Sequence, residues 1–209
     1  MPFLQVPFHF PFKPSLKRED FLVAPCNWEA FELITHPQLW EGSCLILKGP
    51  KNSGKTHLAH LFSKKRETCS SLKEDKIPSL KAQKIVIEDI DEDLDEEKLF
   101  HLFNFIKETK GQLLLTCNKM PLMTLKDLSS RLNAAQKVDI GLPDDTLVAS
   151  LFLKLFYDKQ ISISTEVIDY LVLHTERSFE QIKETVDKLD TLSLSANRKI
   201  TIPLIKTIL

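Results

Sequence analysis

Eight consecutive residues, Gly49-Pro50-Lys51-Asn52-Ser53-Gly54-Lys55-Thr56, match the phosphate-cradling pattern G-x-x-x-x-G-K-[ST] at every fixed position. The pattern carries chemical meaning only where it turns a strand into a helix, and its neighbours have that character. Upstream, Cys44-Leu45-Ile46-Leu47 is short and wholly apolar, as a strand buried on both faces of a parallel sheet must be. Downstream, Leu58, Leu61 and Phe62 recur at the spacing of one helix face. Strand, loop and helix together aim successive backbone N–H groups, and the positive end of the helix dipole, at an anion. Within such a loop Lys55 would reach the β and γ phosphates of a nucleotide and the Thr56 hydroxyl would hold Mg²⁺. The chain has only 5 glycines, and two of them fall at the required positions, which weighs against a chance match.

A phosphate loop needs an acid to position the metal and, for hydrolysis, a base to orient water. Ile85-Val86-Ile87 reads as a second strand and ends in Glu88-Asp89, which places Glu88 as the metal-site acid and Asp89 as the water-orienting acid. Leu113-Leu114-Leu115 reads as a third strand, and Asn118 beyond it is the polar group for the γ-phosphate or the water. Arg131 and Arg177 are candidates for neutralising developing charge, because guanidinium forks bind phosphate bidentately. His57 and His60 share a helix face, but without a third ligand nearby in sequence they read as packing or solvated residues rather than a metal site.

With 28 Lys and Arg against 29 Asp and Glu, the chain has no global positive field to hold DNA by counterion release, so no direct sequence-specific DNA binding is expected. Its 209 residues suffice for one to two domains. Cys26, Cys44, Cys69 and Cys117 form no C-x-x-C pair and read as reduced thiols of a cytoplasmic protein. The first residues are apolar but broken by Pro2, Pro7, Pro11 and Pro14, which argues against a signal peptide, and no stretch approaches membrane-spanning length.

Three sections follow from this pattern. Residues 1–17 are rich in Pro and Phe and should be extended. Residues 18–143 should form an α/β nucleotide-binding domain, with helices at Trp28 to Thr35 and at Glu96 to Thr109. The second of these should bury Leu99, Phe100, Leu102, Phe103 and Ile106 and end at Gly111. The acids from Glu88 to Glu97 are sufficiently explained as a favoured crowd at that helix's first turn. Residues 144–209 should be helical throughout: Leu147, Val148, Leu151, Phe152, Leu155 and Phe156 make one apolar face, Ser178 with Gln181 opens a later helix as a capping box, and Pro203 opens a last short one.

These residues in this order resemble the AAA+ ATPases, and in particular the nucleotide-binding module of the replication initiator DnaA and of the DnaA-like, Hda-type regulators. The resemblance implies that Arg18-Glu19-Asp20-Phe21-Leu22-Val23 with Asn27 precedes the first strand and lines an adenine pocket, Leu22 and Val23 included. It implies that Leu128-Ser129-Ser130-Arg131-Leu132 is an arginine-finger box and that Arg177-Ser178-Phe179-Glu180 opens with a sensor-2 arginine. The interval from the phosphate loop to Glu88 is too short for an extra DNA-gripping helix, and Leu209 directly follows the lid, so no helix-turn-helix domain is expected. Gln5-Val6-Pro7-Phe8-His9-Phe10 resembles the motif by which Hda-type proteins dock on the sliding clamp, with Gln5, Phe8 and Phe10 as contacts. The implied function is a regulator that binds ADP or ATP with Mg²⁺ and promotes hydrolysis of ATP held by the DnaA initiator. Self-association into a homo-oligomer stays open at this level. The Glu-then-Asp order at the strand end departs from the usual AAA+ order and implies weak or no turnover of its own. The rival reading is an autonomous P-loop ATPase or kinase.

Overall fold

The computed structural model describes residues 15–63, 67–68, 84–90 and 94–208. Gln5, Phe8, Phe10 and Cys69 lie outside them. The chain forms two compact units, one of Leu16–Gly141 and one that holds Leu142–Leu209.

In the first unit, a 3-10 turn at Arg18–Asp20 and helix α1 (Trp28–Thr35) precede strand β1 (Cys44–Lys48), helix α2 (Lys55–Phe62) and strands β2 (Glu67–Thr68) and β3 (Lys84–Glu88). Helix α3 (Glu96–Thr109), β4 (Gln112–Cys117), α4 (Lys126–Ala134) and β5 (Gln136–Asp139) complete it. The sheet is parallel with strand order β2-β3-β4-β1-β5. This is the expected α/β class: a parallel sheet flanked by helices, with a helical lid following. Because the strands run parallel, the chain leaves β1, β3 and β4 at one edge, and register brings Lys48 beside Cys117 there. The phosphate loop, Asp89 and Asn118 therefore emerge together, as ligand-binding loops do at the carboxyl ends of open α/β sheets.

Strand burial explains the apolar runs. Leu45, Ile46 and Leu47 are buried, as are Leu113, Leu114 and Leu115, and Ile46 joins Ile85, Ile87, Leu102, Ile106 and Leu115 in one core. Cys44 sits within this packing, and burial pushes its thiol pKa up to about 12. Strand β5 was not legible from the sequence because its pattern Gln-Lys-Val-Asp offers one buried apolar residue, Val138, and the rest of its stability comes from pairing with β1.

Helix α3 differs from expectation at two points. It buries Leu99, Leu102, Phe103 and Ile106, but Phe100 is only half-buried and lies beneath the guanidinium of Arg131, 4.3 Å from carbon to ring centroid. Its left-handed terminal residue is Lys110 (φ 51°), not Gly111. The Gly111 N–H instead closes back on the Ile106 carbonyl at 2.9 Å, so the residue before the glycine takes the positive φ. At the other end Asp95 accepts from the Lys98 N–H (3.1 Å), and the Glu96 carboxylate reaches α4, accepting from the N–H of Thr124 (2.8 Å) and of Leu125 (2.7 Å). The acids before α3 thus act as a cap and as a clasp onto the next helix.

The second unit is helical: α5 (Asp145–Asp158), α6 (Thr165–His174), α7 (Phe179–Ala196) and α8 (Ile202–Ile205), the last with proline in its first turn. Asp144 caps α5 through the Leu147 N–H (2.8 Å), and Ser178 caps α7 through the Gln181 N–H (3.1 Å). Phe152, Phe156, Leu171, Val186 and Leu189 share its core. Full burial of side chains of this size contributes about 1.5–3 kcal/mol each, which makes this small unit a folded body with its own core. Among the described residues no helix is long and apolar enough to cross a membrane.

Candidate functional site

The two glycines of the phosphate loop are dictated by space and backbone. Gly54, which begins α2, has φ 94°, and a side chain there would meet the Phe21 ring at 3.0 Å. A Cβ on Gly49 would meet the Ser53 Oγ at 2.8 Å and the Ile140 Cβ at 2.9 Å. The loop backbone can therefore approach a ligand closely, and Asn52 at φ 63° adds a second left-handed turn to it. Pro50, Lys51 and Asn52 form the loop's outer rim, with Lys51 and Asn52 exposed and Ser53 buried.

Lys55 is buried at the start of α2, and its ammonium donates to three oxygens: the carbonyls of Gly49 and Pro50, both at 2.9 Å, and the amide Oδ1 of Asn118 at 2.7 Å. All three acceptors are neutral. Burial lowers the Lys55 pKa, and the charge of Asp89 pulls it back up. A cation held by neutral dipoles at a helix N-terminus keeps its charge uncompensated at close range, and an anionic phosphate is the ligand that such a site favours.

The acid pair sits at the end of β3. Glu88 is buried, while Asp89 is exposed and takes φ 53°, a left-handed conformation that few non-glycine residues adopt. Thr116 enforces that bend: its Oγ1 accepts from the Asp89 N–H (3.0 Å) and its carbonyl from the Ile90 N–H (2.8 Å). Sequence reading passed over Thr116, which is indistinguishable from a strand residue until the neighbouring strand is known. For the metal, the donors in question are the exposed Thr56 hydroxyl and the Glu88 carboxylate. These are hard oxygen donors of the type Mg²⁺ takes when water and phosphate complete its shell, so the residues fit the ion.

The segment before α1 is fastened to the loop. Asn27 is buried and staples it by accepting from the Ala24 N–H (2.8 Å) and donating to the Leu22 carbonyl (3.0 Å), which fixes Leu22 and leaves Val23 exposed. Phe21 stacks on Phe31 at 5.6 Å and meets the His57 ring edge-on at 5.3 Å. The His57 Nε2 pairs with the Lys17 carbonyl at 2.8 Å. His57 is therefore a packing residue that anchors residues 17–23 against α2, and Phe21 is a loop-supporting residue that sequence spacing did not single out.

The two arginines stand in different electrostatic settings. Arg131 on α4 donates from Nη1 to the neutral Oδ1 of Asn104 at 2.7 Å and lies on the Phe100 ring. Its charge is oriented but, among the described residues, not neutralised. Phe100 and Asn104 lie one helical turn apart on α3, a pairing that the sequence pattern alone did not reveal. Arg177, between α6 and α7 in the second unit, is instead held bidentately by Asp145, with Nε–Oδ1 at 2.8 Å and Nη2–Oδ2 at 2.9 Å.

Comparison with known proteins agrees with this geometry. The family described as Hda, lid domain, matches residues 152–209. An uncharacterized protein of Haemophilus influenzae is 31% identical over 182 residues, covering 77% of this chain and 79% of its own. The chromosomal replication initiator protein DnaA of Borreliella burgdorferi is 25% identical over 94% of this chain, which spans about half (48%) of that initiator. Among solved structures, domain III of the Thermotoga maritima DnaA superposes with a TM-score of 0.78 at 18% identity, covering 96% of this chain and 98% of that one. AMPPCP-bound DnaA from Aquifex aeolicus gives a TM-score of 0.67 at 17% identity, over 90% of this chain and 69% of that one. The chain thus has the fold of domain III of DnaA, and over residues 152–209 it matches the Hda lid family.

Proposed function

We propose that this protein is a nucleotide-binding regulator of chromosomal replication initiation. In this reading it holds ADP or ATP, docks on the sliding clamp in the cytoplasm, and promotes hydrolysis of ATP bound to DnaA, preventing re-initiation. The observation that carries the nucleotide part is the Lys55 ammonium, held by three neutral oxygens inside a complete phosphate loop. The AMPPCP found in a DnaA of the same fold supports an adenine nucleotide as the ligand.

In this reading the loop backbone and Lys55 grip the phosphates, and Leu22 and Val23 border the base. Thr56 and Glu88 hold Mg²⁺, which when bound neutralises charge on the phosphate oxygens. Asp89 and Asn118 face the terminal phosphate or its water, and Arg177 contributes from the lid. Asp89 is one methylene shorter than the glutamate that usually orients water, and its backbone is pinned by Thr116, so the chain's own turnover is weak or absent. Arg131, whose charge no carboxylate among the described residues offsets, acts in trans on the nucleotide of DnaA. Gln5, Phe8 and Phe10 supply the clamp contact.

An autonomous ATPase or kinase would use Glu88 and Asp89 on its own substrate and work alone. The separating experiment measures steady-state phosphate release by the purified protein by itself, then with ATP-bound DnaA and DNA-loaded clamp. Release that appears only with both partners supports the regulator. Full turnover without them replaces it with the autonomous enzyme.

A further inference from the structure

A cavity of about 410 Å³ opens within the first unit, between α4 and the sheet, next to the edge strand β5. Its origin lies in the strand pattern. Register sets Ile46 beside Lys137 and Lys48 beside Asp139, so β1 and β5 offer this face one apolar residue and three charged ones. Apolar packing beneath α4 therefore stops at Ile46 and Leu132, 1% and 2% exposed, and these two form the floor. The segment after β4 supplies the wall, with half-buried Met120 and Met123 and with Leu122, which is 91% exposed. Unbranched thioethers adapt their shape to whatever packs on them. A leucine left in water beside such a recess extends it into an apolar surface that a protein partner can cover.

The mouth is charged, and its balance is positive. Lys48 meets Asp139 at 3.2 Å, but both side chains are well exposed, so water screens the pair and little free energy opposes its rearrangement. Lys137 donates to the neutral Asn133 carbonyl at 3.4 Å and has no carboxylate partner among the described residues. Two ammonium groups against one carboxylate leave a positive charge beside an apolar recess.

We propose that this recess docks a partner protein that presents a leucine- or phenylalanine-sized side chain next to an acidic residue. The apolar side chain fills the space between Met120, Met123 and Leu132, and the carboxylate meets Lys137. A small-molecule pocket encloses most of its ligand, whereas the exposed Leu122 at this rim suits a broader surface. The ridge Met120-Pro121-Leu122 also walls a neighbouring cavity that holds Asp89 and Asn118, so a docked partner lies against the segment that leaves the proposed nucleotide site.

The chain has 3 methionines, Met1, Met120 and Met123, so isotope-labelled methionine methyls give two signals from the recess and one reference. The test is NMR titration of the full-length labelled protein with capped hexapeptides that carry a central leucine or phenylalanine flanked by glutamate, and with their glutamine forms. At peptide concentrations up to about 1 mM the Met120 and Met123 signals should shift while that of Met1 stays. The glutamate form should bind about two- to fivefold tighter than the glutamine form, the range of an exposed ion pair, and Lys137→Gln should abolish that preference. Leu122→Ala should weaken binding by about three- to tenfold. Both positions are exposed, so neither change threatens the fold. Absence of any shift overturns the proposal, as do equal binding of the two peptide forms and a preference that survives Lys137→Gln. Two further arms identify other occupants, and either result also overturns it. Shifts on diluting the protein alone would point to a second copy of this chain, and shifts with octanoate but not with peptides would point to a small amphipathic acid.

Discussion

Lys55 and Asn118 are 63 positions apart in the chain, and a 2.7 Å hydrogen bond from ammonium to amide oxygen joins them across the carboxyl ends of β1 and β4. The loop cation and Asn118 are thus one unit before any phosphate is considered. In the proposed reading, removing the ammonium deletes the strongest charge partner of the phosphates. Charge-assisted bonds of about 1.5–3 kcal/mol correspond to roughly 10- to 150-fold in affinity, so Lys55→Ala should weaken ADP and ATP by that order. Calorimetry on a folded variant checks it, and unchanged affinity would remove Lys55 from the site.

Arg131→Ala should leave nucleotide affinity and clamp binding as they are and lower partner-stimulated hydrolysis by about 10³–10⁵, the value of arginines that act in trans. The measurement is phosphate release from ATP-bound DnaA in the presence of DNA-loaded clamp. Stimulation equal to that of wild type would mean that another group supplies the charge.

The proposed clamp contact is tested at Phe8 and Phe10. Replacing both Phe8 and Phe10 with alanine removes two rings that would each contribute about 1.5–3 kcal/mol when buried, enough to move a micromolar interaction to roughly millimolar. Surface-immobilised clamp should retain the wild type and not the double variant, with nucleotide affinity the same in both. Equal retention of the two would take the clamp out of the proposed function.

Glu96 gives a pH dependence of defined sign. The backbone N–H groups of Thr124 and Leu125 favour its ionised form and hold its pKa below the usual glutamate range, against a smaller opposing effect of burial. A carboxylate whose folded pKa is lowered stabilises the fold above its unfolded pKa, about 4.3, and loses that contribution as pH falls through the folded value. Wild type should therefore be more stable than Glu96→Gln at neutral pH, and the difference should close in acid. Denaturant titrations at a series of pH values read this directly, and a pH-independent difference would show that the clasp onto α4 does not depend on charge.

Much of the sheet was legible because β1, β3 and β4 are apolar on both faces, a composition that excludes most other environments. Strand β5 was not, since an edge strand with a single buried valine carries almost no periodicity. At the site the loop motif and the Glu88-Asp89 strand end could be read directly, being contiguous in sequence. What holds them in place could not: Thr116 against Asp89 and Phe21 over Gly54 are pairings between distant segments, as elsewhere are Asn104 and Phe100 beneath Arg131 and Asp145 on Arg177. Polar residues of this kind carry no local signal, and Phe100 misled because an aromatic at a core-like position can equally serve as a platform for a guanidinium.

Strand β1 has a hydrogen-bonded neighbour on each side, β4 and β5, and the phosphate loop continues directly from it. Its amides should be among the slowest in the chain to exchange with deuterated solvent, because releasing them requires two ladders to part rather than one. The floor of the proposed nucleotide site thus belongs to the last part of the sheet to open. Ligand entry and departure should follow fluctuations of the loop rim and the side chains above it, on a timescale decoupled from that of unfolding.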